Sequence, residues 1–136
     1  MADKNDAPPP TRAVMFGQEL PRPDADLYGK TDPLPMELKV RLHLESGPNA
    51  PAVAPMKGSV LVLGRGAGVA DIDVGDESAS RRHAYIAYRG GKLTLNDMGS
   101  TNGTYLNGKV VGSSRLKDGD EIQIGTAIMR FEVKKR

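Results

Sequence analysis

The 136-residue sequence has no cysteine and no tryptophan, and only two phenylalanines and four tyrosines. Without cysteine there is neither a disulfide scaffold nor a thiolate zinc site. Two histidines are too few for most metal enzymes of this size, so neither a metal nor a cofactor is expected. The scarcity of aromatics means that any core must be aliphatic. No run approaches 18 apolar residues, so no membrane-spanning segment is expected. Met1–Pro10 lacks the charged-then-apolar pattern of a secretory signal, and a cytoplasmic protein is the expectation. Neither sign of charge dominates: 19 basic against 17 acidic residues leave a net +2, a poor electrostatic footprint for nucleic acid.

Proline placement divides the chain. All ten prolines lie at or before Pro55, and seven fall within residues 1–35, which carry six acidic and four basic residues. Proline opposes both helix and sheet, and this segment has too little apolar content to offset its ordering entropy. A disordered tail over 1–35 is expected, followed by one domain over 36–136.

From Met36 the pattern changes. Met36, Leu38, Val40, Leu42 and Leu44 alternate with charged and polar residues, the period of a strand with one buried face. Shorter strands are predicted at Val60–Leu63, Ala70–Val74, His83–Tyr88, Leu93–Asn96, Thr104–Leu106, Val110–Val111, Glu121–Ile124 and Ala127–Val133. Gly90-Gly91 and Asn107-Gly108 are hairpin turn signals. No segment holds a helical period. Ten or eleven short strands in about 100 residues predict an all-β sandwich.

In a sandwich the loops at one end carry function. Gly64-Arg65-Gly66-Ala67-Gly68 follows a strand, but another strand comes next, which removes a nucleotide-binding reading. A guanidinium on such a turn can instead grip an anion through a bidentate fork. Ser80-Arg81-Arg82-His83 offers a hydroxyl, backbone N–H groups and two guanidiniums, all suited to phosphate oxygens. No orienting acid or oxyanion hole accompanies Ser80 and His83 at a recognisable spacing, so the chain is not expected to be an enzyme. The third loop, Asn96 to Thr104, crowds small hydroxyl and amide side chains between two strands.

Taken in order, Gly64-Arg65, Ser80-Arg81-Arg82-His83, Asp97 and Ser100-Thr101-Asn102-Gly103-Thr104 resemble the forkhead-associated (FHA) domain family. Leu106-Asn107-Gly108 and Leu116 to Gly125 extend the resemblance. It covers about residues 36–136 and is closest in kind to small bacterial FHA proteins. It implies an eleven-stranded sandwich that binds a phosphothreonine peptide at one end. The resemblance also implies that Arg65, Ser80, Arg81, Thr101 and Asn102 contact the phosphopeptide. Gly64, His83, Asp97, Gly103 and Thr104 are implied to brace the loops, and Arg82 to be surface charge. The Pro- and Ala-rich stretch near residues 50–58 departs from the pattern by showing no clear strand.

The expected partner is therefore a phosphothreonine-containing protein, with a Ser/Thr protein kinase as a second, and the expected role is in kinase signalling or phospho-dependent assembly. The alternative is an FHA-fold scaffold that binds independently of phosphate. Some small bacterial FHA proteins are regulated by a phosphorylated N-terminal threonine, which makes Thr11 and Thr31 candidate modification sites, although the doubled-threonine motif of those proteins is absent here.

Overall fold

The alternation that begins at Leu38 continues through a nine-residue strand, β1 (Leu38–Ser46), in which Val40, Leu42 and Leu44 are buried. Its partner is the other long strand, β11 (Ala127–Lys135), which buries Ala127, Met129 and Phe131 on the same face. The two run antiparallel, with Leu42 opposite Phe131. Between them in sequence lie β2 (Ala52–Pro55), β3 (Val60–Gly64), β4 (Ile72–Asp73), β5 (Ala84–Arg89), β6 (Lys92–Asp97), β7 (Tyr105–Leu106), β8 (Lys109–Val110), β9 (Ser113–Arg115) and β10 (Glu121–Ile124). These bounds come from a computed structural model that describes residues 28–66 and 68–136.

The strands form two sheets, ordered β2-β1-β11-β10-β7-β8 and β4-β3-β5-β6-β9. Their inner faces meet in one aliphatic core built from Leu42, Leu44, Leu61, Leu63, Ile86, Leu95, Ile122, Ile124 and Met129, to which Phe131 adds a fully buried phenyl ring. Both predicted hairpins form. Gly90 and Gly91 have φ of 58° and 79°, and Asn107 and Gly108 have φ of 50° and 87°. Two consecutive positive φ values match the right-handed twist of flanking strands.

Two strands were not legible. β2 lies in the Pro- and Ala-rich stretch where no strand pattern was read; it pairs with β1 as a sheet edge, where a terminal proline is tolerated. β9 is Ser-Ser-Arg, polar because it too is an edge, beside β6. The strand read at Ala70–Val74 shortens to β4, which pairs in parallel with β3.

All the strands lie in the unit Thr31–Arg136, which starts five residues before Met36. Asp32 accounts for this start: its N–H donates to the Tyr88 carbonyl (2.8 Å) and its carboxylate accepts from Gly90 N–H (2.7 Å). The expectation of disorder falls mostly on residues 1–27, which lie outside the described residues.

On the outer face of β1 and β11, Glu132 is buried beneath Arg41 (3.2 Å), His43 (2.5 Å) and Lys134 (3.4 Å). The His43 hydrogen bond, opposed by burial and reinforced by Arg41 and Lys134, lowers its carboxyl to about 2.

Truncation of Phe131 to Ala should destabilise the domain by about 3–5 kcal/mol, whereas Val110→Ala on the exposed hairpin should stay within about 0.5 kcal/mol. Urea unfolding of the two variants checks this contrast.

Candidate phosphopeptide-binding loops

β3 and β10 end, and β5 and β11 begin, at one end of the sandwich, so the loops carrying the candidate residues share that end. Gly64 closes β3 and is buried against the next loop. A side chain there would collide with the Arg81 carbonyl, which is why only glycine lets the two segments touch. The contact is bonded: Arg65 N–H donates to the carbonyls of Ser80 (3.1 Å) and Arg81 (3.3 Å). The Arg65 side chain returns to the same loop, Nε donating to the Ala79 carbonyl (2.9 Å). This holds the guanidinium by one edge while Arg65 remains exposed.

His83 is fully buried and joins the second loop to the third. Its Nδ1 accepts from Ser80 N–H (3.0 Å), and its Nε2 donates to the Gly103 carbonyl (2.8 Å). These two bonds require the neutral ring with its proton on Nε2. Its backbone is also paired, N–H to Leu63 and C=O from Met98.

Asp97 organises the third loop. Its Oδ2 accepts from the N–H groups of Gly99 (2.9 Å) and Ser100 (3.0 Å), and its Oδ1 from the hydroxyls of Ser100 (2.5 Å) and Thr104 (2.7 Å). Burial alone would raise this carboxyl, but the bonds from Ser100, Thr104 and Gly99 outweigh it and hold the group below its ordinary value. Ser100 Oγ also accepts from Gly103 N–H (3.0 Å), and Thr104 is fully buried. Asn102 Nδ2 crosses to the Ser78 carbonyl (2.8 Å), tying the third loop to the second.

The hydroxyls sort into two groups. Those of Ser78, Ser100 and Thr104 donate inside the loops. Those of Ser80 and Thr101 make no hydrogen bond among the described residues, and neither do the side chains of Arg81 and Arg82. The structure thus brings Arg65, Ser80, Arg81, Thr101 and Asn102 onto adjoining loops, and it links Gly64, His83, Asp97, Gly103 and Thr104 beneath them. No group of three potential metal ligands occurs among the described residues.

Thr31 does not join this cluster. Its hydroxyl donates to Ser59 Oγ (2.9 Å) at the start of β3, roughly 20 Å along the strand from Arg65. Thr11 lies outside the described residues. Two residues with a part in the loop architecture, Asp76 and Thr126, were not singled out from the sequence, because their pairing spans 50 positions.

The family model described as the FHA domain matches residues 61–125, and a solved structure from work on phosphothreonine-dependent FHA domain interactions shares 31% identity and a TM-score of 0.62, covering 69% of this chain and 95% of that one. The chain belongs to the FHA domain family. Its FHA domain is similar in sequence to the glycogen accumulation regulator GarA of Mycolicibacterium smegmatis, with 49% identity over 55 residues, 40% of this chain and 35% of the relative. It is also similar to the oxoglutarate dehydrogenase inhibitor of Corynebacterium jeikeium, with 40% identity over 84 residues, 62% of this chain and 58% of the relative. The matched segments thus span less than two thirds of either relative. The sandwich and the small bacterial type implied by the sequence resemblance both stand. No helix among the described residues is long and apolar enough to cross a membrane.

The Asp97 carboxyl is lowered on folding, so its contribution is fully present above its unfolded value near 3.8 and is lost as pH falls through the lower folded value. The Asp97 share of the domain's stability should therefore fall away below about pH 3.8, and Asp97→Asn should flatten that part of the acid limb. Circular dichroism across a pH series reads both.

Proposed function

We propose that this FHA domain binds phosphothreonine-containing peptides, with Arg65, Ser80, Arg81, Thr101 and Asn102 making the contacts, and that the chain acts without catalysis in Ser/Thr kinase signalling or phospho-dependent assembly. One observation carries this reading: the Ser80 and Thr101 hydroxyls and the Arg81 guanidinium make no hydrogen bond among the described residues, while the nearby hydroxyls of Ser78, Ser100 and Thr104 are engaged. Arg65 is held at Nε alone. An unengaged hydroxyl beside two guanidiniums is a site that awaits an oxyanion.

A phosphate monoester carries about −1.5 to −2 charges at pH 7, and each hydrogen bond to it contributes roughly 1.5–3 kcal/mol. Two guanidiniums and two hydroxyls on one phosphate give reversible binding suited to signalling. Asn102 keeps its Oδ1 for an N–H of an extended peptide, since its Nδ2 is bonded to Ser78. The two relatives, one a regulator and the other an inhibitor, support a regulatory binding role rather than an enzymatic one.

Titration of the full chain with a phosphothreonine peptide selected from a degenerate library, against its unphosphorylated and phosphoserine versions, tests the proposal. Ser80→Ala and Arg65→Ala are each expected to weaken binding by about 2 kcal/mol or more, roughly 30-fold, with thermal unfolding nearly unchanged. Equal binding of phosphorylated and unphosphorylated peptides would favour a phospho-independent scaffold instead.

A further inference from the structure

The loop that carries Ser80 is tied to the opposite sheet through one carboxylate. Asp76 sits between β4 and β5. Its Oδ1 accepts from Ser78 N–H (2.8 Å) and Ser78 Oγ (2.6 Å). Its Oδ2 accepts from Thr126 N–H (2.7 Å) and Thr126 Oγ1 (2.6 Å), in the turn between β10 and β11. Its own carbonyl accepts from Ala79 N–H (3.0 Å). The turn is shaped to receive it: Gly125 has φ of 59°, and a side chain there would run into the Asp76 carboxylate.

What this carboxylate holds is the platform for the phosphate contacts. The carbonyls of residues 78–80 are each taken by a recognition residue: Ser78 by Asn102 Nδ2, Ala79 by Arg65 Nε and Ser80 by Arg65 N–H. The 78–80 backbone therefore sets where Arg65 and Asn102 stand, and Asp76 sets the 78–80 backbone against the other sheet. We propose that Asp76 and Thr126 are positioning residues for phosphothreonine recognition, a latch across the sandwich that aligns Arg65, Ser80 and Asn102 without touching the ligand. This rests on the binding role proposed above.

The hydrogen bonds from Ser78 and Thr126 hold the Asp76 carboxyl well below the usual carboxylate range, so the latch is ionised at neutral pH. Charge alone would then make Asp76 unfavourable for an incoming phosphate, and Asp76→Asn would tighten binding by relieving repulsion. The latch makes the opposite prediction. An amide has one acceptor oxygen for two sets of donors, and its NH2 would face the N–H groups of Ser78 or Thr126.

The test uses the full chain and the library-selected phosphothreonine peptide. Asp76→Asn and the uncharged change Thr126→Val should each weaken binding about tenfold. Thr126→Ser, which keeps the hydroxyl, should bind within about twofold of the original chain, and thermal unfolding of all three should shift by only a few degrees. In the free protein, Asp76→Asn should also shift the NMR resonances of the Asn102 side-chain amide, a readout that needs no peptide. Unchanged or tighter binding by Asp76→Asn, with the original chain still selecting the phosphopeptide, would overturn the latch. So would an unshifted Asn102 amide, whatever the peptide does.

Discussion

The second and third loops at the binding end are joined through the buried ring of His83, whose Nδ1 accepts a hydrogen bond from Ser80 N–H and whose Nε2 donates one to the Gly103 carbonyl. A buried polar group left unpaired costs about 1–3 kcal/mol, so both partners must meet the ring for the fold to keep it inside. That requirement couples the loop after β4 to the loop after β6. Around it the same logic repeats: Asp97 consumes four donors of the third loop, and Arg65 consumes three carbonyl bonds with the second. The polar groups inside the loops are paired with one another, whereas the hydroxyls of Ser80 and Thr101 have no partner among the described residues.

This division follows from the sandwich beneath. Long aliphatic strands β1 and β11 anchor one sheet, and the fully buried run Val60–Leu63 anchors the other. Rigid strand ends leave the loops little freedom, so short side chains suffice to fix them. Binding by such loops avoids part of the ordering cost that a flexible site would bear.

Much of this was legible in the sequence because the signals are local. The period of two in Leu38–Leu44, the glycine pairs of the two hairpins and the ordered motifs at Gly64, Ser80 and Asp97 each lie within a few residues. The unread parts are those whose meaning is set at a distance. β2 and β9 are edge strands with no apolar–polar alternation to advertise them, Ala-Val-Ala-Pro in one and Ser-Ser-Arg in the other, and their pairing comes from β1 and β6. Asp76 reads as one acid in a polar loop until Thr126 is brought beside it. Glu132 likewise looks like an exposed charge of a final strand, yet it is buried under Arg41 and His43 from the first.

On the proposed reading, a phosphothreonine peptide lands on a preformed cluster of loops at one end of the sandwich. Amide NMR of the labelled full chain, titrated with phosphorylated and unphosphorylated versions of one peptide, tests this most directly. Phosphate-dependent shifts are predicted at Arg65, Ser80–Arg82 and Thr101–Gly103, with the β1 and β11 amides far from that end unmoved. Shifts centred on the outer face of β1 and β11, or identical shifts with both peptides, would contradict it.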